Sequence, residues 1–292
     1  MENTKKILID TDIGGDVDDA LALALALNSP ELEIVGITNV YLANEWRAGV
    51  TKHMLKVYGR EDIPVCTGAE KPLIGWWDEN RIPNSSAAAA PVGVQEEAPL
   101  CACDFIVQAA RTYKDLTLVA IGPLTNVALA FAKAPDIVNR VKIVMMGGEL
   151  DKAHPEWNIV CDPEAARIVF ESGARIRMVG LDVTNRCRFT KEDVERIRGT
   201  GNPRTDMLGE MMELFTQNFG YLPILHDPLA LSALLWDDIM TFAEKKVLVE
   251  TAGQYTRGLT IDCDWGEGVP VQAAVDVKEA LFKERLIGRL IL

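Results

Sequence analysis

Residues 7–27 read "ILIDTDIGGDVDDALALALAL", and the fold turns on how the last eight of them are read. Their strict alternation matches a strand, yet alanine and leucine are the strongest helix formers. The residues in front decide it. Asp16 is placed to cap a helix, and Asp18 and Asp19 fall in a first turn, where the positive end of the helix dipole favours carboxylates. The stretch therefore reads as a buried strand, a short acidic turn and a buried helix, the opening of a βαβ unit.

The rest of the chain repeats that rhythm. "EIVGITNV", "IPVCTG", "LTLVAIG", "VKIVMMGG" and "RIRMVGLDV" are β-branched apolar runs, separated by helical patterns near residues 43–58, 104–113, 124–133 and 163–172. This alternation predicts an α/β fold: an open, mostly parallel, Rossmann-like sheet with helices on both faces. Near-continuous apolar strands fit a sheet covered on both sides. No repeat or linker divides the 292 residues, so one domain over 1–292 is expected. Residues 71–99 and 148–158 show no regular pattern, and the first is long enough to be a functional loop or flap.

Composition narrows the function. A net charge of −13 argues against nucleic acid as a partner, because such binding needs lysine and arginine to neutralise phosphates. The longest apolar stretch is too short to span a bilayer, and "MENTKK" lacks the build of a signal peptide, so no membrane association and a cytoplasmic location are expected. The six cysteines are scattered, and "CAC" at 101–103 has neither zinc-knuckle nor CxxC spacing. They read as free thiols.

Five aspartates fall within residues 10–19. Two carboxylates about 4 Å apart repel by roughly 1 kcal/mol in water and about 4 kcal/mol in a partly shielded site. Packed between two buried elements, the cluster calls for a cation or for protonation of some of the carboxylates, and oxygen ligands would suit a hard divalent ion. Asp12, leaving the strand, and Asp19, in the first helical turn, are the natural pair. Gly14 and Gly15 allow a tight turn, but no Lys-Ser/Thr follows, so the motif is no phosphate loop. In open α/β sheets ligands bind beyond the carboxyl ends of the strands. There the sequence collects Asp10 and Asp12, Asn39 and Asn44, "IGPLTN", "MGG" and "HDP", the last with Asp227 before Pro228 at a helix start. His53 and His154 read as surface residues.

Four stretches in order carry a resemblance: "ILIDTDIGGDVDDALALA", "TLVAIGPLTNVALA", "VMMGGELDKAHPEWNIVCDPEAA" and "HDPLAL". The chain resembles the inosine-uridine-preferring nucleoside hydrolase family, whose signature is DTDxGxDDxxA. The resemblance implies hydrolysis of the N-glycosidic bond of ribonucleosides. It further implies Ca²⁺ held by Asp12, Asp19, Asp227 and the Ile121 carbonyl, with Asp18 as general base and His226 near the leaving base as a proton donor. Asn44, Glu156 and Asn158 match ribose-gripping positions, Met146 an apolar pocket residue, and Asp10 a partner orienting the constellation. A nucleoside substrate and a homodimer or homotetramer are expected. The motif carries two extra residues, "GGDVDD", so Asp16 could share the role of Asp18; residues 71–99 contain no histidine. Trp76, Trp77 and Trp157 are candidates for stacking on a base. Two other readings are weighed: a non-catalytic, metal-dependent ribose-binding protein on the same scaffold, and a haloacid-dehalogenase-like phosphatase using "DTD".

Overall fold

The computed structural model describes residues 4–75, 101–263, 265–266 and 268–292. Trp76 and Trp77 lie outside them. "KKILIDT" forms β1 (Lys5–Thr11), and the ambiguous run is a helix, α1 (Asp18–Leu27). Every residue from Asp18 to Ala26 is buried. That explains the missing polar face: the helix has core on all sides, so its sequence shows no 3.6-residue stripe. The expected cap is not made. Val17 occupies the N-cap position without a side-chain bond, and Asp16 Oδ1 instead accepts the Val17 amide at 2.5 Å.

After β2 (Leu32–Asn39), α2 (Asn44–Tyr58) and β3 (Val65–Thr67) come α3 (Ala102–Thr112), β4 (Leu116–Ala120) and α4 (Thr125–Lys133). Then follow β5 (Val141–Met146), α5 (Trp157–Cys161), α6 (Pro163–Glu171), β6 (Arg175–Val179) and α7 (Leu181–Thr184). The last third holds α8 (Lys191–Arg198), α9 (Pro203–Phe219), α10 (His226–Ser232), β7 (Met240–Val249), β8 (Thr260–Asp262), β9 (Val269–Val277) and α11 (Glu279–Leu290). Two readings shift here. The run "RIRMVGLDV" leaves the sheet at Val179 and turns into α7, and the patternless 148–158 segment leads into α5, which starts at Trp157.

The strands lie in the order β3-β2-β1-β4-β5-β6-β9-β7-β8. All pairs from β3 through β6 to β9 are parallel, whereas β7 runs antiparallel to β9 and β8. The mostly parallel sheet is thus extended by an antiparallel edge. One apolar layer packs α1, α2, α9, α10 and α11 on one face, and the other packs α3, α4 and α6 on the opposite face. The strand order reverses between β1 and β4. Chains leave to either side of that junction, which opens a crevice at the carboxyl ends of the strands.

Candidate active site

The crevice is a cavity of about 680 Å³, lined by Asp12, Asp16, Asp18, Asp19 and Asp227 on one side and by Met146, Glu156, Trp157 and Asn158 on another. The β1–α1 turn supplies the first four acids. It is built around Gly14, whose φ of 102° is left-handed, and a Cβ there would collide with the Trp46 ring at 2.3 Å, so only glycine fits. Asp227 arrives from the first turn of α10, which is preceded by Leu225; it is a first-turn residue and not the cap. Its amide donates to Asp18 Oδ2 at 3.1 Å. Thr11 Oγ1 donates to Asp19 Oδ1.

Oxygens of Asp18, Asp19 and Asp227 lie within 4.8 Å of one another, all three residues buried. Burial and the neighbouring carboxylates hold all three well above the usual carboxylate range. Burial also raises Asp12, although the Arg47 guanidinium opposes the shift, and lifts Asp16 to about 6. Such a group of negative oxygens is unfavourable in isolation and complementary to a hard divalent ion. The tight trio contains Asp18, which the sequence reading assigned to proton transfer, and not Asp12, which it assigned to the metal. Asp12 lines the same cavity, and its charge is felt both by the trio and by Glu156. It stands between the two halves of the site.

The Ile121 carbonyl comes off the end of β4, where it accepts Asn158 Nδ2 at 3.2 Å. Gly122 follows, and a Cβ on it would sit 2.9 Å from both Asp12 N and Asp12 Oδ1. The glycine in "IGPLTN" is therefore what lets the two loops close around Asp12. Gly122→Ala is expected to displace that carboxylate and lower kcat about 10²-fold, since a shift near 1 Å costs that much, with the fold retained. Steady-state kinetics beside circular dichroism checks this.

Glu156 caps α5. Its carboxylate accepts the amides of Asn158 at 2.9 Å, Ile159 at 3.1 Å and Gly148 at 3.0 Å. Burial nevertheless lifts it to about 7. Asn158 spends its Nδ2 on the Ile121 and Met146 carbonyls, so its Oδ1 is the atom left for a ligand. Trp157 is 40 % exposed at the rim and meets Tyr41 edge-on at 6.4 Å. Tyr41 and Ala43 both have positive φ, 71° and 59°, strain of the kind that collects beside functional sites.

His226 lines the cavity beside Asp227, and its Nδ1 pairs with Thr184 Oγ1 at 2.7 Å. Burial, helped by Arg188, lowers it to about 4, so near neutrality the ring is uncharged and can offer one N–H but no stored proton.

Two expected residues stand elsewhere. Asn44 is not among the residues lining the cavity; its Nδ2 donates to the carbonyls of Tyr41, Gly68 and Ala69, because it opens α2 and ties the loops after β2 and β3 together. Asp10 is fully buried behind the cavity, where Oδ1 accepts Thr38 Oγ1 at 2.6 Å and Asn126 Nδ2 at 2.8 Å. It stands behind the cavity floor, and its Oδ2 has no hydrogen-bond partner among the described residues. The sequence reading missed Phe219 and Tyr221, which line the cavity from the end of α9, 40 % and 45 % exposed, and His154, which is exposed as expected yet stands on the rim. It also missed Arg47, a buried cation donating to the carbonyls of Leu42 at 2.7 Å and Ile13 at 2.9 Å. Aromatics at a helix end would have been the signal for the first two; a lone arginine on an amphipathic helix gives none.

The profile of the inosine-uridine preferring nucleoside hydrolases matches residues 7–284. A pyrimidine-specific ribonucleoside hydrolase from Citrobacter koseri is 36% identical over 97% of both chains. Among solved structures, a purine-preferring ribonucleoside hydrolase from Gardnerella vaginalis superposes with a TM-score of 0.89 at 30% identity, covering 98% of each chain. A plant nucleoside hydrolase gives 0.87 at 29% identity, covering 99% of each chain.

Proposed function

The chain belongs to the inosine-uridine preferring nucleoside hydrolase family and is a ribonucleoside hydrolase, and from that premise we propose that it cleaves the N-glycosidic bond with one Ca²⁺ held by Asp12, Asp18, Asp19, Asp227 and the Ile121 carbonyl. The observation that carries this reading is the buried trio of carboxylates within 4.8 Å, drawn from chain segments far apart in sequence. Its donors are all oxygens, as a hard ion requires. When bound, the ion supplies a fixed positive charge that orients the ribose hydroxyls and the attacking water and makes that water more acidic.

The protein's own residues do the rest. Asp12 takes the proton of the attacking water: it stands outside the trio, whereas Asp18 and Asp19 each have an oxygen tied by an internal hydrogen bond. Glu156 and Asn158 Oδ1 hold ribose hydroxyls, and Met146 packs against the sugar. Bond cleavage builds positive oxocarbenium character on the ribose. The carboxylates outnumber the charge of one divalent ion, so the field of the cavity stabilises that transition state more than the neutral substrate. The same field disfavours phosphate, which makes nucleosides better substrates than nucleotides. His226, neutral and oriented by Thr184, donates a hydrogen bond to the departing base, with Trp157 and Tyr221 flanking it.

The phosphatase reading of "DTD" leaves Glu156, Asn158 and Asp227 without roles and is set aside by the family match. Assembly as a homodimer or homotetramer and a cytoplasmic location, both expected from the sequence, stay part of this proposal; among the described residues no helix is long and apolar enough to cross a membrane.

The test is a panel of purine and pyrimidine ribonucleosides assayed for free base and reducing sugar. The pyrimidine-specific relative from Citrobacter koseri is more similar than the purine-preferring one. Uridine or cytidine is therefore expected to give a kcat/KM at least tenfold above that of inosine. Metal-dependent ribose binding with no turnover on any member of the panel would leave only the non-catalytic reading.

A further inference from the structure

We propose that a basic groove at the opposite end of the sheet binds a phosphate-bearing small molecule. The groove, about 980 Å³, runs under the amino-terminal ends of β4, β5 and β6 and beside the loop after α10. It is independent of the acidic cavity, which lies at the carboxyl ends of the same strands.

Six cationic side chains line it, Lys5, Lys6, Lys114, Lys142, Arg175 and Arg177, against three carboxylates, Asp115, Asp237 and Glu244. That excess stands out in a chain whose net charge is −13. Part of it has a structural use. Lys5 Nζ donates to the Leu234 carbonyl at 2.6 Å and Arg177 to the Ala233 carbonyl at 3.3 Å, complementing the negative end of α10. Lys6 pairs with Glu33.

Of the remaining three, only Lys142 has a charged partner among the described residues, a long ion pair with Asp115. Lys142 and Arg175 are register partners on adjacent parallel strands. Like charges on neighbouring strands repel, and strands lie only about 4.8 Å apart. Asp115 approaches Lys142 no closer than 4.0 Å. Lys114 and Arg175 have no ion pair among the described residues. A row of this kind is an unfavourable sheet surface until an anion bridges it.

The side-chain types select the anion. A guanidinium offers a planar fork to two oxygens, and lysine ammonium groups add point charges around it, the combination that recognises phosphate. The groove does not suit a polyanion. In a chain of net charge −13 a nucleic acid would meet net repulsion, and Asp237 and Glu244 stand within the groove. A small ligand with one phosphate group fits both the charge and the volume.

Calorimetric titration of the intact protein with inorganic phosphate and with ribose 5-phosphate tests the proposal, with chloride at equal ionic strength as control. Saturable binding of at least one probe is expected, at least tenfold weaker in the double variant Lys142→Gln, Arg175→Gln. Both side chains are exposed and remote from the cavity, so nucleoside hydrolysis by that variant should be unchanged and reports its folding. Arg175→Lys, which keeps the charge and loses the planar fork, should weaken binding about threefold, less than the double variant does. Tighter binding of ribose 5-phosphate identifies an organic phosphomonoester as the ligand, and equal or tighter binding of phosphate identifies the free ion. Absence of saturable binding by either probe, or equal affinity in the double variant, overturns the proposal.

Discussion

Asp12→Asn is expected to lower kcat about 10³-fold while leaving calcium affinity within about tenfold of the parent. The magnitude is that of a removed general base, typically 10² to 10⁴. The selectivity comes from position. Asp12 lines the cavity outside the trio formed by Asp18, Asp19 and Asp227, so the isosteric amide removes the proton acceptor while keeping one oxygen for the ion beside the trio's three carboxylates. Asp18→Asn reverses the pattern: it takes a carboxylate out of the trio and should weaken calcium binding strongly, with turnover partly recovered at high calcium. The decisive measurement is kcat at saturating calcium for both variants. A near-normal kcat in Asp12→Asn together with a calcium-insensitive loss in Asp18→Asn would return the proton-transfer role to Asp18.

Chelation should abolish turnover and lower thermal stability, and one substitution should separate the two causes. A ligand that binds only the folded state stabilises it by about 2.7 kcal/mol at a hundred times its Kd. For a protein of this size that corresponds to a Tm rise of about 5 °C. In ion-free protein the carboxylates of Asp18, Asp19 and Asp227 repel one another in a buried setting, which opposes folding. Asp227→Asn removes one of those charges. The variant is therefore expected to melt above the parent in chelator and below it in calcium, a reversal of order that lost packing cannot produce. Scanning calorimetry with and without calcium reads it directly. If Asp227→Asn melts lower in both conditions, the acids are not a cation site.

The parallel half of the fold was legible because its strands are continuous apolar runs and its helices fall between them at regular spacing. The antiparallel edge was not. Strand β7, "MTFAEKKVLV", is half exposed and carries charge, and β8 is three residues long, so neither shows the period that marks a buried strand. The acidic turn was legible for an energetic reason: five carboxylates packed between buried elements repel one another, which calls for a cation or for protonation. Asn44 shows the limit. An asparagine after a strand looks the same whether its amide faces a ligand or, as here, the carbonyls of Tyr41 and Ala69. Which of Asp12 and Asp18 joins the trio was equally unreadable, because it depends on how α10 approaches from the far end of the chain.

The hydrogen bond from the Asp227 amide to Asp18 spans 209 residues of sequence. At translation rates of about 5 to 20 residues per second, the acidic turn leaves the ribosome roughly 10 to 40 seconds before its partner is made. Throughout that interval the nascent chain holds those carboxylates in water, without the third one that completes the cluster. Under the proposed calcium binding, an ion at that cluster would act as a late fastener, closing on a sheet whose first six strands have already emerged.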